Sequence, residues 1–352
     1  RRAQTARLLI DQTALPLTTV AFTAGFESIR QFNDTMRTSF GCTPTAMRKQ
    51  VKPGVAGAGE IALRLRYRPP FAAGALLAYL ATRAIPGVEE ISGGSYRRTV
   101  VMPRSRGIVT LEPHTDNATV VLRLGFDDLI DLPLLVQHCR QLFDLDADPM
   151  AIHETLSTDA ALRPLLETQP GLRIPGAING FELAVRAILG QQISVAGART
   201  LAARLVAKLG EPLAAPRGGL THYFPTAAAV ADADLAGIGL TGARIASLRA
   251  LARSVAAGEI VLERTADRQE TTERLLALPG VGPWTASYIA LRALGDPDAF
   301  PAADLGLRRA LERLGRPADA RSIVTMAEAW RPWRGYATLH LWTSLANQGA
   351  KP

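Results

Sequence analysis

The sequence predicts a multi-domain α+β protein: a helical segment over residues 1–51, a linker at 52–60, a small antiparallel α+β domain at 61–148 and an all-helical region at 149–352. Three observations predict it. Residues 52–60, K-P-G-V-A-G-A-G-E, are small and glycine-rich, the composition of a flexible connection. From Ile61 the apolar residues alternate, as in a half-buried strand, and from about Pro149 they recur at helical spacing with breaks at Pro and Gly. The length allows such a division, because 352 residues with 47% apolar content can bury about two or three ordinary cores.

The chain opens without methionine inside a helical run, R-R-A-Q-T-A-R-L-L-I, so a fragment of a longer product is expected. After Pro16 come a short helix, the turn Ala24-Gly25-Phe26 and a second, more polar helix capped by Ser28. That order is a helix-turn-helix, whose second helix can enter a major groove. Residues 1–53 hold eight basic and three acidic side chains, so +5 of the formal charge of +8 lies there. With a pI of about 10.0, the balance points to a polyanionic partner.

In the second domain Ile61, Leu63, Leu65 and Tyr67 share one face of a strand and Arg64 and Arg66 the other. A helix is predicted over about 71–83, then strands at Tyr96–Met102, Ile108–Glu112 and Thr119–Leu124, then a helix over about 127–143. One-sided alternation with short connections implies an antiparallel sheet with helices on one face. In the helical region two apolar-periodic helices flank Gly190. Residues 236–251 align with 279–294 at an offset of 43, and shared helix, glycine hairpin, helix geometry accounts for the identities without a duplication.

Several classes are excluded. No apolar run approaches the ~20 residues of a membrane span and no signal segment opens the chain, so a cytoplasmic protein with no membrane partner is expected. Two cysteines, Cys42 and Cys139, are too few for a disulfide framework, a four-cysteine zinc site or an iron–sulfur cluster. The five histidines are scattered, and His138 and Cys139 point to different helix faces, so both read as packing residues. No cofactor and no required metal are expected.

The stretch 278–291, L-P-G-V-G-P-W-T-A-S-Y-I-A-L, carries the first chemistry. Glycine supplies backbone angles closed to other residues, and Pro283 suits the first turn of a helix because its missing N–H would be unpaired there. The amides of Gly280 and Gly282 and those just after Pro283 are left facing outward at a positive helix N-terminus, a nest for an anion. Further on, D-A-F-P-A-A-D-L-G-L-R-R-A-L places Asp304 22 residues after Gly282. By itself Asp304 reads as an N-cap of the next helix. Trp284 and Tyr288, four residues apart, share a helix face, and Trp333, Tyr336 and Trp342 follow near the end; packing in a core is the commoner role of any one such ring.

The pattern h-P-G-h-G-x-x-T-A at 278–286 resembles the helix–hairpin–helix motif of DNA-binding proteins. The resemblance implies that Gly280, Val281, Gly282 and Thr285 hold a DNA phosphate without reading sequence, with room for a monovalent cation on the Leu278 and Val281 carbonyls. Residues 24–28 and 41–44 (A-G-F-x-S and G-x-T-P) resemble the second half of an AraC-type DNA-binding domain. From Ile61 to the end, including R-P-P-F, A-T-R-A, F-E-x-A-V-R-A-I-L-G-Q and W-x-P-W-R-x-Y-A-x-L-H-x-W, the chain resembles the 3-methyladenine DNA glycosylase II family of AlkA type. The implied architecture is a partial AraC-type helix-turn-helix, a small antiparallel α+β domain and an all-α helix–hairpin–helix glycosylase region.

That family hydrolyses the bond between an alkylated base and its deoxyribose. The resemblance makes Asp304 the catalytic carboxylate, and Trp284, Tyr288 and Trp342, with Tyr79 and Arg83, the base pocket. Gln192 falls where the family inserts a leucine wedge into the duplex, and Leu305 where it has a pocket tyrosine. Bifunctional relatives carry a nucleophilic lysine where Trp284 stands, so a monofunctional enzyme acting as a monomer on double-stranded DNA with alkylated bases, and leaving an abasic site, is expected. Two rivals stand beside it: a transcriptional regulator whose C-terminal region only binds DNA, and a glycosylase for oxidised or deaminated bases.

Overall fold

The computed structural model describes residues 2–13, 15–50 and 61–348; the expected linker at 52–60 lies outside them. The chain begins with four helices, α1 (Arg2–Gln12), α2 (Leu17–Thr23), α3 (Ile29–Phe40) and α4 (Pro44–Gln50). Ser28 caps α3 by accepting the Gln31 N–H, and Gly41 ends it in the left-handed region at φ 71°, so the helix-turn-helix expected from the sequence has its start and stop signals in place.

Strand β1 (Ile61–Arg66) leads into α5 (Ala73–Arg83), followed by β2 (Glu89–Ser92), β3 (Ser95–Val101), β4 (Arg106–His114), β5 (Thr119–Phe126) and α6 (Leu132–Leu142). The five strands form an antiparallel sheet in the order β1-β5-β4-β3-β2. Strand β2 had no separate expectation: it is only four residues long, and Glu89 within it is buried by ion pairing that periodicity does not register. Helix α6 starts five residues later than expected, because Asp127 and Asp128 turn their carboxylates onto the backbone N–H groups of Arg106 and Ile130 and so favour a turn.

The edge strand β1 is covered. Gln12 at the end of α1 donates its amide to the Arg64 carbonyl at 3.2 Å and accepts the Arg64 N–H, pairing a side chain with an open edge. Ala6, Leu9 and Ile10 of α1 belong to the same apolar cluster as Leu63, Leu65, Tyr96 and Phe143. The helix-turn-helix segment and the sheet thus share one core.

The rest is helical: α7 (Pro149–Leu156), α8 (Arg163–Thr168), α9 (Gly180–Leu189), α10 (Val195–Leu209), α11 (Ala227–Ala231), α12 (Gly242–Ala256), α13 (Arg268–Leu276), α14 (Pro283–Arg292), α15 (Leu305–Arg313), α16 (Ala320–Ala327) and α17 (Arg334–Gln348). A two-stranded ribbon, β6 (Pro212–Arg217) with β7 (Leu220–His222), interrupts it, contrary to the all-helical expectation; β6 is almost wholly exposed and so carries no alternation to read. No helix among the described residues is long and apolar enough to cross a membrane.

Sheet and helices are joined by a buried ionic network. Arg98 of β3 donates to both oxygens of Glu182 on α9, Arg186 of α9 reaches Glu89 at 2.8 Å and Glu182 at 3.0 Å, and the Tyr96 hydroxyl donates to Glu89 at 2.6 Å. Burial by itself would raise the Glu89 carboxyl, but Arg186 and Arg98 outweigh it and hold the group below its ordinary value. Arg186 also donates to the Arg83 carbonyl at 2.5 Å, which fixes the end of α5 against the helical region. His138 and Cys139 are packing residues as expected; burial pushes the Cys139 thiol up to about 12.

Candidate active site and hairpin

A cavity of about 700 Å³ opens between α5, α9, α10, α14, α15 and α17. Asp304 lines it, and its position follows from local structure: it is the N-cap of α15, with Oδ1 accepting the Leu307 N–H at 2.6 Å. The capping reading of the sequence therefore holds, and the same carboxylate faces the cavity. Two indoles complete its shell. Trp342 Nε1 donates to Oδ1 at 2.8 Å and Trp284 Nε1 to Oδ2 at 2.7 Å. Close approach requires Gly306, where a Cβ would stand 3.0 Å from Asp304 Oδ1 and 3.3 Å from Trp342 Cδ1.

Trp284 and Tyr288 stack at 5.2 Å between ring centres with planes 13° apart, so no base enters between these two rings, which would need about 7 Å. Tyr288 lies 6.4 Å from Trp342 at 47°. The structure brings Tyr79 and Arg83 to the same place: the Tyr79 and Tyr288 hydroxyls are 3.1 Å apart, and the Arg83 guanidinium lies 3.8 Å over the Tyr79 ring. Arg292, one turn beyond Tyr288 on α14, donates to the Tyr288 hydroxyl and to the Pro175 carbonyl at 2.5 Å. Burial opposes ionisation of Tyr288, yet the charges of Arg292 and Arg83, with the hydrogen bonds it shares with Tyr79 and accepts from Arg292, prevail and bring its pKa down to about 8.

Arg292 escaped the reading of the sequence, although its four-residue spacing from Tyr288 was a usable signal. Three residues named there lie elsewhere. Trp333 packs edge-on against Tyr336, whose hydroxyl donates to the buried Asp144, and neither lines the cavity. Leu305 is 47% exposed, outside the cavity lining.

The hairpin at 278–283 leads directly into Trp284, which lines the cavity. Gly280 has φ 73°, and a Cβ there would meet Ser247 Oγ at 2.3 Å. Gly280 and Gly282 are exposed, whereas the Val281 side chain is buried and the Thr285 hydroxyl faces inward to Gln191. The Val281 N–H closes the hairpin turn onto the Leu278 carbonyl at 3.2 Å. Gln192 follows α9, exposed and left-handed at φ 56°. Its neighbour Gln191 ties this turn to the hairpin, donating to the Gly280 carbonyl at 2.8 Å and to Thr285 Oγ1 at 2.9 Å, and Arg244 donates to the Gln191 carbonyl at 2.7 Å.

A carboxylate at a helix start, under aromatic rings and beside a helix–hairpin–helix, defines the class of base-excision DNA glycosylases. Comparisons with known proteins agree. The chain matches the HhH-GPD superfamily of base excision DNA repair proteins over residues 185–335, the AlkA N-terminal domain over 62–179 and a helix-turn-helix domain over 1–50. It is 49% identical over 349 residues to the probable bifunctional transcriptional activator/DNA repair enzyme AlkA of Mycobacterium tuberculosis, covering 98% of this chain and 70% of the relative. It is 34% identical to DNA-3-methyladenine glycosylase 2 of Escherichia coli, covering 79% of this chain and 95% of that protein. The chain belongs to the AlkA-type DNA-3-methyladenine glycosylase family. A 3-methyladenine DNA-glycosylase from Archaeoglobus fulgidus shares the fold, with a TM-score of 0.69 at 24% identity over 79% of this chain and 96% of that one.

Proposed function

We propose that the protein flips alkylated bases out of double-stranded DNA and hydrolyses their N-glycosidic bond, acting as a monomer in the cytoplasm on nucleoid DNA and without a cofactor. The observation that carries this reading is the Asp304 carboxylate, held by two indole N–H groups and the α15 amide at the wall of a cavity of about 700 Å³.

The chemistry follows from charge. As the C1′–N bond lengthens, positive charge builds on the deoxyribose, and the fixed Asp304 carboxylate stabilises it. Water adds its oxygen to C1′ and loses a proton, and the alkylated base, cationic before cleavage, leaves as a neutral molecule. Trp284 occupies the place of the lysine nucleophile, so no Schiff base forms and the product is an abasic site. The Trp284, Tyr288 and Trp342 rings offer electron-rich surfaces to an electron-poor base, with Tyr79 and Arg83 closing the pocket. The exposed amides of Gly280 and Gly282 and those just after Pro283 grip a phosphate, and Gln192 inserts at the vacated base site.

Chromatography of free bases released from methylated DNA tests the reading. The wild type is expected to release alkylated bases, and Asp304→Asn to lose about 10³-fold in rate while keeping its affinity for DNA. No release by the wild type would favour a regulator whose C-terminal region only binds DNA; release from oxidised or deaminated lesions alone would favour the other glycosylase reading.

A further inference from the structure

The cavity straddles a seam between two apolar cores. Leu76 and Leu80 of α5 belong to the cluster that fills the sheet, whereas Ile85 and Val88, just past the end of that helix, belong to the cluster of the helical region. Tyr79 packs on the first cluster and its hydrogen-bond partner Tyr288 on the second, so the wall they form takes one ring from each side. Apolar contact is non-directional, which leaves the register of the two sides to the polar bonds that cross the seam.

Those bonds close a ring around the turn from Arg83 to Ile85. Arg186 of α9 donates one guanidinium nitrogen to the Arg83 carbonyl at 2.5 Å and the other to Glu89 Oε2 at 2.8 Å, and the same Glu89 oxygen accepts the Ile85 N–H at 2.9 Å. The Arg83 carbonyl is one of those that the end of α5 leaves without a helical partner, so Arg186 grips the helix by its last turn. Arg83 ends that turn and Tyr79 stands one turn before it, and both line the cavity. The ring is itself anchored, since Glu89 Oε1 accepts the Tyr96 hydroxyl at 2.6 Å and Glu182 takes Arg186 at 3.0 Å. Arg98 crosses the seam too, but it bonds to Glu182 on α9 rather than to α5.

We infer that the Glu89–Arg186 pair positions the Tyr79–Arg83 wall for the reaction and so sets how a flipped base seats against Asp304. The inference rests on the glycosylase reading above and adds two positioning residues to it. Both act through α5. With the ring of bonds closed, Tyr79 is held 3.1 Å from Tyr288; with it open, α5 follows the core of the sheet, and its wall shifts against α14, α15 and α17. A shift of about 1 Å in a group that positions substrate costs about 10²-fold in rate. DNA that has already lost its base has nothing to seat on this wall and is indifferent to the shift.

A mutant cycle tests this, read as single-turnover release of 3-methyladenine from methylated DNA per folded molecule. Arg186→Met is expected to lose about tenfold to 10²-fold in rate. A duplex carrying a tetrahydrofuran abasic analogue should bind that variant within about two-fold of the wild type. In a Tyr79→Ala/Arg83→Ala background, where no wall is left to position, the same substitution should cost less than about two-fold. An equal loss in both backgrounds, or a matching drop in affinity for the abasic duplex, assigns Arg186 a general structural role and overturns the inference. Should Arg186→Met not fold, Arg186→Lys takes its place in the cycle: it keeps a charge beside Glu89 and Glu182 but not the planar fork, and a loss of about several-fold is expected in the first background only. Release at the wild-type rate by the folded Arg186 variant overturns this inference alone. A wild type that releases no base overturns the glycosylase reading and this inference with it.

Discussion

The two ends of the cavity hold their polar groups by opposite means. At one end the Asp304 carboxylate is held by neutral donors only, two indole N–H groups and a backbone amide. At the other, neutral phenols are held by cations, Arg292 on the Tyr288 hydroxyl and Arg83 over the Tyr79 ring. Among the described residues no guanidinium contacts Asp304, so its side-chain partners are all neutral donors. The guanidiniums of Arg83 and Arg292 stand against the Tyr79 and Tyr288 rings rather than against Asp304.

The largest expected effect comes from breaking the support behind the tyrosine end. Glu89→Gln leaves Arg186 and Arg98 short of a buried partner, and a loss of about 3 kcal/mol or more in denaturant-measured stability is expected. The folded Glu89 carboxyl lies below its ordinary value, so its contribution is present above the unfolded pKa and is lost as pH falls through the folded one. The stability gap between wild type and variant should accordingly close in acid; a gap independent of pH would assign the loss to packing.

Next comes the Asp304 end. The double variant Trp284→Phe/Trp342→Phe keeps aromatic surface but removes both indole donors from Asp304, and single-turnover base release should fall about 10²-fold with duplex affinity little changed. Gly306→Ala is the milder version. The added Cβ presses on Asp304 and Trp342, and a loss of about tenfold is expected in the same assay.

The smallest effect is spectroscopic. Tyr288 should ionise near pH 8, visible as a phenolate absorbance step that vanishes in Tyr288→Phe and moves up in Arg292→Met. With the folded pKa below the ordinary value of about 10, the linked stability is present above that value and is lost as pH falls through 8. A wild type with no step below pH 9 would mean that the guanidiniums do not act on the phenol as described.

Much of the fold was legible because it rests on local signals. Ser28 and Asp304, the two caps read from the sequence, each cap the helix that follows, and Asn179, Ser194, Thr241 and Asp267, not singled out there, do the same. Strand β1 showed its alternation plainly, with Leu63 and Leu65 buried and Arg64 and Arg66 exposed. Strand β2 and the β6–β7 ribbon did not, since they are short and are placed by partners distant in sequence, such as Glu89 with Arg186 and the Thr99 hydroxyl with the His222 carbonyl. Part of the candidate site was visible as motif: Asp304, the hairpin and Trp284 with Tyr288. Arg292 and Gln191 were not singled out, because their roles exist only through contacts made across the fold.

By itself the sequence determined the order of the domains, the caps that start the helices, the glycine turn of the hairpin and the presence of one aspartate at a helix start among aromatic residues. These depend on neighbours within a few residues along the chain, where backbone geometry acts alone. Only the tertiary structure decided that both indoles turn their N–H groups onto Asp304, that Trp284 and Tyr288 stack on each other, and that Tyr79 crosses 209 residues to meet Tyr288. Such contacts are set by how helices pack once a core has formed, and packing depends on every partner at the interface rather than on spacing along one of them.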